Sequence, residues 1–355
     1  MANRFWVGGT GNWSDNANHW ATTSGGSGGA SLPTSSDNVY FDALSFTSSG
    51  QTVTVSSLAY CLDMDWTGAT NTPTFLKNSA TAIYGSLTLI TNMIVSGAGN
   101  WNFYASTTGK TIDTKDVPLI GKANFGVSSG GVWTLLGNLT TSWDVEVLYG
   151  SLITNGKSIT TRDLKLSPIT PINVTMGSSL VTLSRNLVVS TSNVTLNAGT
   201  STIIMTGSAV TFGGGGLTYN NVEFQGTPTT ITGNNTFSQL KVNSEKELRL
   251  TAGTTQTVTN LITDSATVKS STSGSPALLT STNAQVLRTA TLQDITAIGT
   301  FTAIRNSVNV SGNTGIIFAD IGFRGNIITT GSSGTFTSSD GKVVTIVNGT
   351  VTSIV

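Results

Sequence analysis

"SLVTLSRNLVVSTSNVTLNAGTSTIIMT", residues 179–206, contains four short runs of apolar or alternating residues separated by polar turns. The runs are SLVTL 179–183, NLVVS 186–190, NVTLN 193–197 and STIIMT 201–206. Each is rich in Val, Ile, Leu and Thr and is bounded by Ser, Asn, Arg or Gly, which reads as a strand between turns. None shows the 3.6-residue period or the length of a helix.

The same pattern extends in both directions. NVYFD 38–42, QTVTV 51–55, SLTLI 86–90, WNFYA 101–105, VWTLL 132–136, DVEVL 144–148, NVEFQ 221–225 and ELRLT 247–251 are further short runs. With two or three strands per turn, their spacing implies a repeat of roughly 20–27 residues, the range of a solenoid. TLNAGTST at 195–202 returns as RLTAGTTQ at 249–256, a separation read here as two coils. A propeller would carry stronger blade signatures, and a sandwich would end after about 100 residues. The expected fold is therefore all-β: a right-handed parallel β-helix over residues 51–325. About 12 coils at ~4.8 Å would give a body roughly 55–60 Å long.

Open sheet ends need covering. Residues 1–50, with RFWVGGTGNWSDNANHW at 4–20, are read as the segment that caps the first coil. Residues 326–355 read differently from the coils. Asp340-Gly341 and Asn348-Gly349 are hairpin signals flanked by alternating residues, which predicts a three-stranded antiparallel meander over about 334–355. It would cap the helix or pair with neighbouring subunits.

The 17 basic and 17 acidic residues cancel and charged residues are only 10% of the chain, so the basic footprint of a nucleic-acid binder is missing. Thr, Ser and Asn supply the polar surface. Cys61 is the sole cysteine, so no internal disulfide forms, and its flanks Ala59, Tyr60 and Leu62 fit a buried small hydrophobe. The first residues lack the apolar segment of a secretory signal. No run approaches the ~20 apolar residues of a membrane span. The expectation is a chain assembled in a host cytoplasm, without membrane insertion.

Several segments together resemble a family of β-helical proteins encoded by tailed bacteriophages, with related repeats in large bacterial surface proteins. The Trp/Gly-rich opening leads into Pro33, Thr34, Asp37, Val39, Phe41 and Asp42, which match the family's Pro-Thr-x-x-Asp-x-Val-x-Phe-Asp stretch. GSLTL 85–89, TLNAGTSTI 195–203, FGGGGLTYNNVEF 212–224, ITGNNTFSQL 231–240, LTAGTTQTVTN 250–260 and SGNTGIIF 311–318 resemble its later segments, and the C-terminal DGKVVTIVNGTVTSIV resembles tails of phage structural proteins. The resemblance spans nearly the whole chain and carries no enzymatic signature. It implies a virion component, with tail and head locations both open.

Trp6, Trp13 and Trp20 admit two readings. They are candidate carbohydrate-binding residues if their rings are exposed for sugar stacking, or plugs of the first coil if buried. The plug reading is preferred because the stretch opens the chain among turn residues. His19 has no second His or Cys nearby to form a metal site with it and reads as a packed ring, so no metal and no cofactor are assigned. Glycoside cleavage would need two carboxyl groups about 5–9.5 Å apart. Asp63/Asp65, Asp144/Glu146 and Glu245/Glu247 are i, i+2 pairs that a strand would place on one side. Each sits in an ordinary alternating strand or beside a neutralising cation, so no catalytic residue is assigned. GGSGG 25–29 and GGGG 213–216 lack a following Lys-Ser/Thr and read as turns.

The functional expectation is a non-enzymatic virion protein, a tail fibre or spike for host attachment. Its partners would be other virion proteins, further copies in a homotrimer and a host cell-surface glycan. The alternatives are a capsid-decorating head fibre, a polysaccharide-depolymerising tailspike and a bacterial surface adhesin.

Overall fold

Alternation within each short run places every second residue inward, and parallel stacking repeats that residue's environment one coil later. In the computed structural model this gives a parallel β-solenoid, with strands stacking from Asn3 to Phe318. The structure describes residues 1–126, 130–190, 193–319, 334–337, 341–347 and 350–354. The boundary expected at 325/326 lies outside them.

Each early coil has three short strands on three faces. Asn38–Tyr40, Thr52–Val55 and Ala59–Cys61 form one coil, and Met64–Asp65, Thr74–Lys77 and Thr81–Ile83 form the next. The register between these coils is parallel: Tyr40 opposes Asp65, Val53 opposes Phe75 and Cys61 opposes Ile83. The third face is continuous through 13 strands. At about 4.8 Å per interval, those strands span roughly 58 Å. The second face falls into blocks of four and eleven strands. At the break an isolated bridge joins Leu119 to Thr141 on the eleven-strand side, and among the described residues no bridge joins Leu119 back to Ile94–Ser96.

From Val194–Asn197 onward the first face has no separate strand. The second-face strands lengthen instead, to Thr218–Phe224, Thr236–Val242 and Thr255–Thr263. Each breaks its alternation once, at 220–221, 238–239 and 259–260, where two successive residues point away from the core. One strand thus turns a corner that earlier coils made with a loop. The coil shortens accordingly: Thr202, Asn221, Gln239 and Asn260 stack in register, 19, 18 and 21 residues apart. The TLNAGTST and RLTAGTTQ segments are therefore nearly three coils apart rather than two. They also close different strands, Val194–Asn197 on the first face and Glu247–Leu250 on the third.

The core is a set of columns. Cys61, Ile83, Phe103, Phe125, Val147, Leu166 and Val189 stack inward along the third face, and all are buried. Burying such side chains stabilises by about 1.5–3 kcal/mol each, and the column repeats that gain at every coil. Burial pushes the Cys61 thiol pKa far up, as its reading as a buried hydrophobe requires.

The described part of the C-terminal segment contains Gly334–Thr337, Val343–Val347 and Thr350–Ile354, paired antiparallel in that order. This is the expected three-stranded meander. Gly341 has φ +82, a conformation that favours glycine. Asp340, Asn348 and Gly349 lie outside the described residues.

Candidate functional site

The opening stretch forms the outer end of the solenoid. Asn3–Trp6 lies parallel to Asn38–Tyr40 and antiparallel to Trp20–Ala21, which forms the edge of the first face. Between them Asp15 caps a single helical turn, Asn16–His19, by accepting from the Asn18 N–H. Trp6, Trp13 and Trp20 are all buried, at 0, 4 and 0% exposure.

Their rings interlock rather than face outward. Trp20 meets Trp6 and Trp13 edge-on at 5.1 and 4.8 Å between centroids. Below them Phe41 stacks on Trp66 at 3.6 Å, and Trp66, Phe75 and Trp101 continue the aromatic column into the coils. The Trp6 and Trp20 indole N–H groups donate to the carbonyls of Gly9 and Trp13, both at 2.7 Å. Buried rings with engaged N–H groups offer no sugar-stacking face. The three tryptophans plug the first coil.

His19 and the nearby glycines belong to the same packing. The imidazole stacks on Trp6 at 4.6 Å, and its Nδ1 donates to the Val7 carbonyl at 2.8 Å. A Cβ on Gly11 would run into that ring, and one on Gly9 would run into the Gln51 amide. Among the described residues no three His, Cys, Asp or Glu side chains gather as a metal site would need, and no helix is long and apolar enough to cross a membrane.

Each acidic pair has structural work. Asp63 accepts from the Ser86 N–H at 2.6 Å, and Asp65 accepts from the Thr67 N–H at 2.8 Å. Glu247 is bracketed by Arg249 at 2.6 Å and Lys269 at 2.9 Å, while Glu245 sits in a left-handed turn conformation at φ +62. Glu146 pairs with Lys122. Asp144 lies between Lys165 at 2.6 Å and Arg162 at 3.4 Å. Burial raises the Asp144 pKa, but the Lys165 hydrogen bond and the two cationic charges outweigh it and leave it below the ordinary value. A carboxyl held ionised in this way is a poor general acid.

A different tryptophan is exposed. Of the seven in the chain, Trp6, Trp13, Trp20, Trp66, Trp101 and Trp133 are buried, whereas Trp143 is 49% exposed. It stands on the corner leading into the third face. The Arg162 guanidinium covers one side of its ring, 4.3 Å from the centroid. The register places Arg185 on the next coil at the same corner, with its N–H donating to the Arg162 carbonyl at 2.8 Å. Sequence reading passed over these residues, although a signal is present. SWDVEV 142–147, TRDLKL 161–166 and SRNLVV 184–189 are one hexad repeated on three successive coils. Uneven loops between the hexads hide the repeat from a fixed-period search.

No protein-family model matches the chain, and no curated protein or solved structure matches it. The fold defines its class, a parallel β-solenoid with an aromatic plug at its N-terminal end.

Proposed function

We propose that this chain is a non-enzymatic structural protein of a bacteriophage particle, a tail fibre or spike that holds a rigid rod toward the host. The observation that carries this reading is the third-face parallel ladder, unbroken over 13 strands, with one buried core closed at its N-terminal end by the Trp6–Trp13–Trp20 plug. Such a body transmits force along its axis and resists proteolysis, because each coil's backbone is paired to both neighbours. The order of phage-like segments along the sequence supports the same reading, as do the ion pairs and backbone hydrogen bonds that occupy the acidic pairs.

Self-association into a trimer belongs to this proposal. Ile169, Leu180, Val188 and Val286 are exposed apolar side chains on the rod, available for burial between rods. Several copies on one particle would raise avidity where each glycan contact is weak.

Electron microscopy of the particle with antibody raised against this chain tests the proposal. Label at the tail is the expected result. Label spread over the head would replace it with capsid decoration, and an unlabelled particle would overturn it. Capsule hydrolysis that disappears in Asp144→Asn or Glu146→Gln would overturn the non-enzymatic part.

A further inference from the structure

We propose that the corner formed by Trp143, Arg162 and Arg185 is a binding subsite for an acidic polysaccharide. The inference rests on the host-attachment reading for its biological sense, but its geometry stands apart from that reading.

The Trp143 ring has one covered side and one open side. Arg162 occupies the side toward the following coil. On the preceding coil, Leu119 opposes Thr141 and Ala123 opposes Val145, so Gly121 lies opposite Trp143. One coil earlier Trp101 opposes Ala123, so the corner position is Gly99. The side of the indole away from Arg162 therefore looks over two steps that carry no side chain. A Cβ on Gly121, itself at φ +105, would strike the Gly99 carbonyl, so the shelf is kept bare by the backbone packing. A flat apolar face above an open shelf suits the C–H face of a pyranose ring.

The backbone that carries the platform is fixed in place before any ligand arrives. The Trp143 carbonyl accepts from Thr161 Oγ1 at 2.6 Å, Arg162 N at 3.0 Å and Thr141 Oγ1 at 3.1 Å. Little backbone ordering entropy is left for binding to cost.

Charge selects the ligand class. Lys122, Arg162, Lys165 and Arg185 face three carboxylates, those of Asp144, Glu146 and Asp163, leaving one positive charge in excess. The carboxylates are engaged: Asp163 accepts from the Asn186 N–H at 2.7 Å, and Asp144 and Glu146 hold Lys165 and Lys122. Arg185 is half-exposed and comes only within 3.9 Å of Asp163, beyond hydrogen-bond length. Its fork of donors matches a ligand carboxylate. Trp143 and Arg185 are two coils apart and the free side of the ring faces away from Arg185, so a sugar stacked there and a carboxylate on Arg185 lie roughly 14 Å apart at ~4.8 Å per coil, about the reach of a trisaccharide.

The test uses the full chain and three acidic probes: hexagalacturonate, a hyaluronan hexasaccharide and an oligomer of sialic acid. The methyl ester of hexagalacturonate serves as the neutral control. Calorimetry should show saturable binding of at least one acidic probe, with Trp143 protected from N-bromosuccinimide. Trp143→Ala should weaken that binding at least tenfold, and Trp143→Phe should restore part of it. Arg185→Gln should abolish the preference for acid over ester while leaving the unfolding midpoint unchanged. No saturable binding of any acidic probe, ester bound as tightly as acid, or unchanged affinity in both Trp143→Ala and Arg185→Gln would each overturn the subsite. Particle labelling reads the attachment proposal independently, so failure of one is distinguishable from failure of the other.

Discussion

The His19 imidazole fills the space that a side chain at residue 11 would require, and Gly11 is the backbone it rests against. The ring is sandwiched, with Trp6 stacked on it and the Val7 carbonyl held at its Nδ1. The glycine and the histidine of the opening stretch are thus two halves of one contact. Gly11→Ala should destabilise the protein by about 1–3 kcal/mol, the usual cost of overpacking a filled core. A urea unfolding midpoint unchanged from wild type would show that the cap can shift to admit a methyl group.

Trp13 joins the plug to the coils, in edge-on contact with Trp20 and 6.3 Å from Phe75 below. Trp13→Ala should cost about 3–5 kcal/mol, as for other fully packed large aromatics. Lower thermal stability or failed assembly is the expected outcome. Intact stability and assembly with lost cell binding would instead make Trp13 a sugar platform.

Lys77 is buried with no carboxylate on it. Its ammonium lies 3.5 Å from the centre of the Trp101 ring and donates to the carbonyls of Gly99 and Asn100 at 3.2 and 3.0 Å. Burial holds its pKa well below the ordinary lysine value. Between the folded pKa and the unfolded value near 10.5, the unfolded chain binds more protons, so stability rises with pH across that window. The slope contributed by this group reaches at most about 1.4 kcal/mol per pH unit. Urea titrations from pH 7 to 10 should show the rise in wild type and a flatter profile in Lys77→Met. Identical profiles would mean that the two carbonyls and the ring keep the ammonium charged throughout.

Asp144 links two coils through Lys165 and Arg162. Its pKa is lowered on folding, so the stability it contributes is present above the unfolded value of 3.8 and is lost as pH falls through the folded one. Asp144→Asn should cost about 1–3 kcal/mol at neutral pH, because Lys165 and Arg162 lose the negative charge they pair with. It should also reduce the loss of stability below pH 4. Equal acid sensitivity in wild type and variant would assign that loss to other carboxylates such as Glu223 and Glu247, whose pKa values are also lowered.

The strand content was legible from residue patterns alone. Val145 and Val147 alternate with Asp144 and Glu146, and the structure buries the two valines completely. Period-two alternation is a local property, so it survives in a single segment read by itself. The plug was legible for a similar reason: large rings among glycines at the start of a solenoid have few places to go but over its open end.

Alignment between coils was not legible. The number of residues per coil falls from 25 between Leu87 and Ile112 to 18 between Asn221 and Gln239 and 16 between Gln285 and Phe301, as loops are traded for bent strands. A fixed repeat length therefore misjudged the 54-residue echo and missed the hexad that stacks Trp143, Arg162 and Arg185.

From sequence alone the chain is determined to be a β-solenoid with an aromatic cap, because alternation and turn residues act over a few neighbouring positions. Which side chains meet across coils was decided only by the tertiary structure. Loops of unequal length absorb the differences between coils while the register of strand pairing keeps the same side chains inward, so lateral neighbours cannot be found by counting along the chain. That register buried the three opening tryptophans and placed the exposed one between two bare glycines and two arginines.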